Sequence, residues 1–163
     1  MKENKFEFSY QVYDSISELK EKDAWLLNEA RSVTVHAYAP YSKFHVGAVA
    51  ILENGEIVVG TNQENASYPV GICAERTLLA AASSSYPGMA IHSMAISYKN
   101  VMNPQNSNRP VSPCGMCRQA LQEFETRTNH PIRLILAGME GNVYIIEKSG
   151  LLLPLGFSSE ELL

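Results

Sequence analysis

Three cysteines set the strictest condition on how this chain folds. Cys73 stands alone in VGICAERTLL, while Cys114 and Cys117 form a pair in SPCGMC. Each group lies at the mouth of an apolar stretch with helical character, so the thiols can act together only if the fold brings two helix N-termini to one place. The chain between Cys73 and Cys114 is long enough for a helix, a strand and a return loop, which makes that convergence possible. The cysteine count of 3 is odd. The opening stretch MKENKFEFSYQVYD has no apolar run of signal-peptide length, so reduced thiols in the cytoplasm are expected and a disulfide framework is not.

The surrounding pattern alternates helices and strands. Leu19, Leu26, Ala30, Val33 and Ala37 recur at helical spacing and predict a helix from Ser15 to about Tyr38, with Ser17 as a cap and Pro40 at the exit. Val46 to Leu52 and Glu56 to Thr61 predict two antiparallel strands, joined at Asn54-Gly55 by a tight turn of positive φ angles. Cys73 to Ser84 and Gly115 to Arg127 read as buried helices. Ile91 to Tyr98, Ile132 to Ala137 and Val143 to Glu147 read as further strands, and Lys99 to Ser112, rich in Asn and Pro, as an exposed loop. Such alternation predicts an α/β fold: a mixed sheet of about five strands covered on its faces by helices, the last strands placed by β-α-β crossovers.

A chain of 163 residues, 45% hydrophobic, can bury one sizeable core. One domain over residues 15–163 is expected, after an N-terminal extension, residues 1–14, that has no functional reading. The net charge of −4 and the absence of any Lys/Arg run exclude the electrostatic footprint of a nucleic-acid or acidic-membrane binder. No stretch approaches the roughly 20 apolar residues that span a bilayer. A small ligand fits better.

On a helix start, Cys114 and Cys117 share a face. Helix N-termini carry partial positive charge and orphan N–H donors, which favour thiolates. Zinc is the natural guest for three such sulfurs, and three protein ligands leave a fourth position where water can be activated to a pKa of about 7. Two plainer readings stay open. A histidine, His36, His45, His92 or His130, would close the site as a structural one, although none lies at short ligand spacing from a cysteine. Alternatively, the cysteines are unliganded core residues. Glu75 favours the catalytic reading: two residues beyond Cys73 it points about 200° away around a 3.6-residue turn, so it lines the pocket without joining the metal. There it would carry protons between water and substrate. Arg76 would offset the net charge of −1 that three thiolates and Zn²⁺ leave.

Cys73-Ala74-Glu75-Arg76 together with Pro113-Cys114-Gly115-Met116-Cys117-Arg118-Gln119 resembles the zinc signature of the cytidine deaminases. The first ligand is Cys, as in the small homotetrameric nucleoside branch, whereas the branches acting on tRNA adenosine, polynucleotide cytidine and deoxycytidylate typically use His. AYAPYSKFHVGA (37–48), TNQENASYPVGICAER (61–76) and LLPLGF (152–157) extend the similarity, which covers about His36 to Leu162. It implies the three-layer α/β/α fold of that family and the deamination of cytidine and deoxycytidine. It further implies zinc on Cys73, Cys114 and Cys117, Glu75 as the catalytic proton carrier, and Asn62 and Glu64 on the ribose. Phe44 would lie beside the pyrimidine, Ala74 would contact the substrate, and Arg76 and Gln119 would lie close to the ligands. Ala66, Tyr68 and Phe157 would reach a neighbouring subunit's pocket, so a homotetramer is implied. A carboxylate near the sugar should reject phosphorylated substrates.

Two departures stand near the expected mouth of the site. His45 replaces a frequent proline, and the 99–112 loop is long for the family. They keep a blasticidin-type nucleoside deaminase as a rival, and a non-catalytic zinc scaffold is a second one. The scaffold requires a closed fourth ligand; the C-terminal Phe157 and the Phe44 segment favour cytidine.

Overall fold

The protein is described here as a computed structural model over residues 1–162; Leu163, the last residue of the expected domain, lies outside the described residues. Six strands make one mixed sheet. In chain order they are β1 Gln11–Tyr13, β2 Phe44–Leu52, β3 Ile57–Thr61, β4 Ile91–Asn100, β5 Arg133–Ala137 and β6 Val143–Ile146. Three helices, α1 Glu21–Ser32, α2 Ala74–Ser85 and α3 Gly115–Thr128, cover it. The spatial order is β1-β6-β5-β4-β2-β3, with only β4 and β5 forming a parallel adjacent pair.

Alternation along the strands divides the interior into two cores, as a pleated strand must when both faces are covered. Met94 and Ile96 of β4 pack with Leu78 and Leu121 under α2 and α3. Ala95, between them, packs with Leu26, Leu27 and Ala30 of α1 on the opposite face. The result is the expected three-layer α/β/α sandwich.

Several local expectations change on contact with the structure. The first helix is shorter than its periodicity suggests. Ser17 lies in a preceding 3-10 turn, Ile16–Glu18, with its hydroxyl 2.6 Å from that of Ser15, and Lys20 occupies the N-cap. At the other end, Val33-Thr34-Val35 is a β-branched run, disfavoured in an α-helix, and the chain tightens into a 3-10 turn over Val33–His36. The hairpin loop holds three residues. Gly55 N–H bonds Leu52 C=O at 2.9 Å and Gly55 alone in the loop has positive φ, +86°, the pattern of a type I turn closed by a left-handed glycine.

The sixth strand comes from the N-terminal segment: Gln11, Val12 and Tyr13 pair antiparallel with Ile145, Tyr144 and Val143. The 99–112 stretch is also more ordered than its composition suggests. Lys99 and Asn100 extend β4, and Ser107 is buried, its hydroxyl bonded by Asn100 N–H at 2.8 Å.

The topology dictates where the helix starts fall. β3 and β4 each run antiparallel to β2, which lies between them, so they run parallel to one another. Their carboxyl ends therefore emerge at the same edge, one leading to α2 and the other to α3. Clefts at the carboxyl ends of parallel strands are where open α/β sheets place ligands.

Candidate active site

Cys73 and Cys114 are the N-cap residues of α2 and α3, each in extended conformation. Their carbonyls already accept the first helical bonds, from Thr77 N–H at 3.0 Å and Arg118 N–H at 2.9 Å. Neither side chain caps its helix, so both sulfurs are free to turn toward each other. Cys117, one turn into α3, is buried and completes the group. The Sγ atoms of Cys73 and Cys114 lie 3.8 Å apart, and those of Cys114 and Cys117 3.4 Å. All three lie within 4.8 Å of one another.

These distances suit a single tetrahedral ion. Zn–S bonds of about 2.3 Å at tetrahedral angles place sulfurs about 3.8 Å apart. Among the described residues no histidine or carboxylate joins the three sulfurs, so nothing closes the site in the manner of a structural centre.

Taken as thiols, the cluster already separates its members. Cys73 is drawn down to about 6, first by hydrogen bonding from Cys117, against desolvation and the Glu75 charge, with Cys114 and Arg76 assisting. Cys117 is pushed far up by that same bond and by burial. One thiolate at Cys73 with its proton donors around it is the arrangement that a positive ion would replace. Arg76 is half-buried, has no ion-pair partner among the described residues, and contributes the smallest of the influences that lower the Cys73 thiol.

Glu75 is 5% exposed, and burial pushes its carboxyl above the usual range, opposed by its own backbone N–H and by Cys117. It shares one cavity of about 490 Å³ with all three cysteines. Phe44, Asn62, Glu64 and Ala74 line the same cavity, so the metal group and the expected substrate contacts converge. β3 keeps α2 close enough for this. A Cβ on Gly60 would meet the Ala74 carbonyl and lie 2.8 Å from Leu78 Cβ.

The residues expected to contact substrate are held by bonds within the chain. Asn62 Oδ1 accepts from Val46 N–H at 2.7 Å and its amide donates to Phe44 C=O at 2.9 Å. Glu64 Oε2 accepts from the N–H groups of Tyr41 (2.9 Å) and Ser42 (3.3 Å). Desolvation, the largest single influence, pushes the Glu64 carboxyl up, but the Ser42 hydroxyl, the two N–H bonds and the nearby His45 together outweigh it and hold the carboxyl below the usual range.

Not every expected residue sits in the cavity. Ala66 is exposed, and Tyr68 and Phe157 are 77% and 57% exposed. Gln119 turns toward the C-terminal segment, donating to Phe157 C=O at 2.8 Å. His45 alternates away from Phe44 and Val46 and lies 3.3 Å from Thr34 C=O, outside the cavity lining.

Sequence reasoning missed two participants. Tyr98 stacks on Phe44, and Arg118 donates to Pro113 C=O at 2.8 Å and Leu152 C=O at 3.0 Å, tying the second ligand loop to the C-terminal segment. Strand alternation with Ile96 could have placed Tyr98 on the cavity face. Nothing local announces Arg118's carbonyl partners.

The family model for the cytidine and deoxycytidylate deaminase zinc-binding region matches residues 20–130. The chain belongs to this deaminase family. A cytidine deaminase of Sporosarcina psychrophila is 38% identical over 139 residues, covering 84% of this chain and 92% of that protein. A second, from Halalkalibacterium halodurans, is 34% identical over 84% of this chain and 95% of its own length. The crystal structure of cytidine deaminase from Burkholderia pseudomallei superposes with a TM-score of 0.70 at 33% identity, covering 85% of this chain and all of that one. For a deaminase of this family, zinc is the cofactor, and the three-sulfur group at the paired helix N-termini is suited to hold it.

Proposed function

We propose that this protein hydrolyses the amino group of cytidine and deoxycytidine, giving uridine or deoxyuridine and ammonia. The observation that carries the reading is the buried Glu75 carboxyl sharing one cavity with three convergent sulfurs, inside a chain related along most of its length to cytidine deaminases. Cys73, Cys114 and Cys117 would hold the zinc, whose chemistry is that of a Lewis acid able to lower the pKa of water to about 7.

The remaining work falls to the chain's own groups. Glu75 accepts a proton from the attacking water and hands it to cytosine N3 as oxygen joins C4. It then takes the proton of the new C4 hydroxyl and passes it to the amino nitrogen, which leaves as ammonia while C4=O forms. Burial suits the group to both roles, since a carboxyl pushed above its ordinary range takes up a proton more readily than a free one and can still return it.

Phe44 and Ala74 flank the pyrimidine, while Asn62 and Glu64 bind the ribose. Asn62 keeps one amide N–H beyond its bond to Phe44 C=O, and Glu64, charged and fixed by Tyr41 and Ser42, repels a phosphorylated sugar. Ala66, Tyr68 and Phe157 complete a neighbour's site in a homotetramer, a reading supported by the exposure of both aromatic rings. A native mass of four chains is its check. The reaction would return uridine to pyrimidine salvage in the cytoplasm.

The test adds cytidine to folded, zinc-loaded protein and follows loss of pyrimidine absorbance together with ammonia release. Absence of turnover would falsify the reading. Glu75→Gln should keep its zinc and its fold while losing turnover by a factor of at least about 10² to 10⁴. Loss of zinc in that variant would show Glu75 to be a ligand instead.

A further inference from the structure

Phe44 is fixed from three directions, and one of them belongs to neither the metal group nor the sugar contacts. Its N–H bonds Ser42 Oγ at 3.1 Å and its C=O accepts from the Asn62 amide at 2.9 Å. Those two bonds fix the backbone and leave the ring free to turn. The ring is met by Tyr98, with centroids 4.7 Å apart and planes at 24°, a stacked pair. Tyr98 faces Val46 across the ladder and so lies diagonally from Phe44, within reach of an aromatic side chain.

Tyr98 is itself immobilised. It is 4% exposed, and its hydroxyl donates to Asn106 C=O at 2.6 Å. Asn106 ends a 3-10 turn in the 99–112 segment, and that segment is bolted to the sheet beside it. Ser107 C=O accepts from Met139 N–H at 2.7 Å, Val101 N–H reaches Lys43 C=O at 2.9 Å, and Asn100 N–H bonds Ser107 Oγ. Phe44 lines the cavity and Tyr98 does not, so the phenol supports the ring from the protein side.

We infer that Tyr98 is a positioning residue for base binding: by stacking on Phe44 and bonding the 99–112 segment, it fixes the wall against which the pyrimidine packs. The inference rests on the cytidine reading above. It gives the long 99–112 segment a task, since the Asn106 carbonyl is the anchor that sets the phenol's height. A wall fixed in advance helps bind the ground state and the transition state equally. Its loss raises KM and leaves kcat in place.

The experiment compares the zinc-loaded protein with Tyr98→Phe, which keeps the ring and drops the anchor, and Tyr98→Leu, which keeps burial and drops the stack. Zinc content, Tm, kcat and KM for cytidine are measured on each. Expected for Tyr98→Leu is a rise in KM of roughly three- to tenfold with kcat within about twofold and full zinc content; Tyr98→Phe should show a smaller rise in the same direction. Unchanged KM in both variants would overturn the inference, as would a fall in kcat at constant KM, which marks a structural role alone. If Tyr98→Leu does not fold, Tyr98→Phe decides by the same two criteria. An unsubstituted protein that turns over no cytidine refutes the reading of the site and the role of Tyr98 with it, whereas active protein with indifferent variants refutes the role alone.

Discussion

Glu64 shows how much of this site is built from backbone. A lone carboxylate just past a strand is an ordinary solvated charge, yet here, against desolvation, the Ser42 hydroxyl and the N–H groups of Tyr41 and Ser42 hold its carboxyl below the usual range. A carboxyl lowered by folding stabilises the protein in full above its ordinary pKa, and that contribution is lost as pH falls through the lowered value. Glu64→Gln should therefore lower Tm most at neutral pH, with the gap to the parent closing as pH falls below about 4. Thermal scans between about pH 7 and pH 3 read this directly; a gap independent of pH would mean that charge is not what the N–H groups recognise. The chemistry-bearing residues were legible at this scale because their identity carries the signal. Thiols at Cys73, Cys114 and Cys117 beside a carboxylate at Glu75 admit few readings. Alternation could place Tyr98 on a face but not against Phe44, and Arg118's bond to Leu152 C=O was illegible, because in both cases the partner comes from a distant stretch of chain.

At the scale of elements, the contact between β3 and α2 decides the geometry. Gly60 lets the first turn of α2 approach the strand, bringing Ala74 and with it the Cys73 and Glu75 positions into the cavity. Gly60→Ala should destabilise the protein by about 1–3 kcal/mol in denaturant unfolding, as overpacking against backbone does. The same variant should surrender zinc to a chelator faster than the parent, since the helix start must move. Parent-like unfolding and zinc release would show that α2 has room to spare. Helix and strand identities followed from periodicity, while their ends followed from chemistry that periodicity omits. The β-branched Val33-Thr34-Val35 run stopped α1 early, and Gly55 chose a three-residue loop over a two-residue one.

Across the whole molecule, β1 lies at the sheet edge opposite β3, away from β2, whose Phe44 and Val46 line the cavity. We propose that the 1–14 segment is an addition to a deaminase domain that begins near residue 15. Its strand makes three cross-strand pairs with β6, and Tyr13 packs on the α1-side core. Deleting residues 1–13 should cost about 1–2 kcal/mol of stability, from pairs of roughly 0.2–1 kcal/mol each plus that packing. Zinc content and kcat/KM should stay within about twofold. A deletion that loses its metal would place the segment inside the catalytic unit. No helix among the described residues is long and apolar enough to cross a membrane.

The sequence alone pointed to the deaminase family, to zinc as its cofactor and to three thiols grouped with a carboxylate, because thiol, carboxylate and spacing are local properties that survive without coordinates. It also determined the alternation that makes a sheet covered by helices. Tertiary structure alone decided that β3 and β4 end at one edge and so bring Cys73 within 3.8 Å of Cys114. It alone put Tyr98 beneath Phe44 and turned Gln119 toward Phe157. The physical reason is that these contacts join segments far apart in the chain. Whether they form is settled by strand order and close packing, which no single stretch of residues encodes.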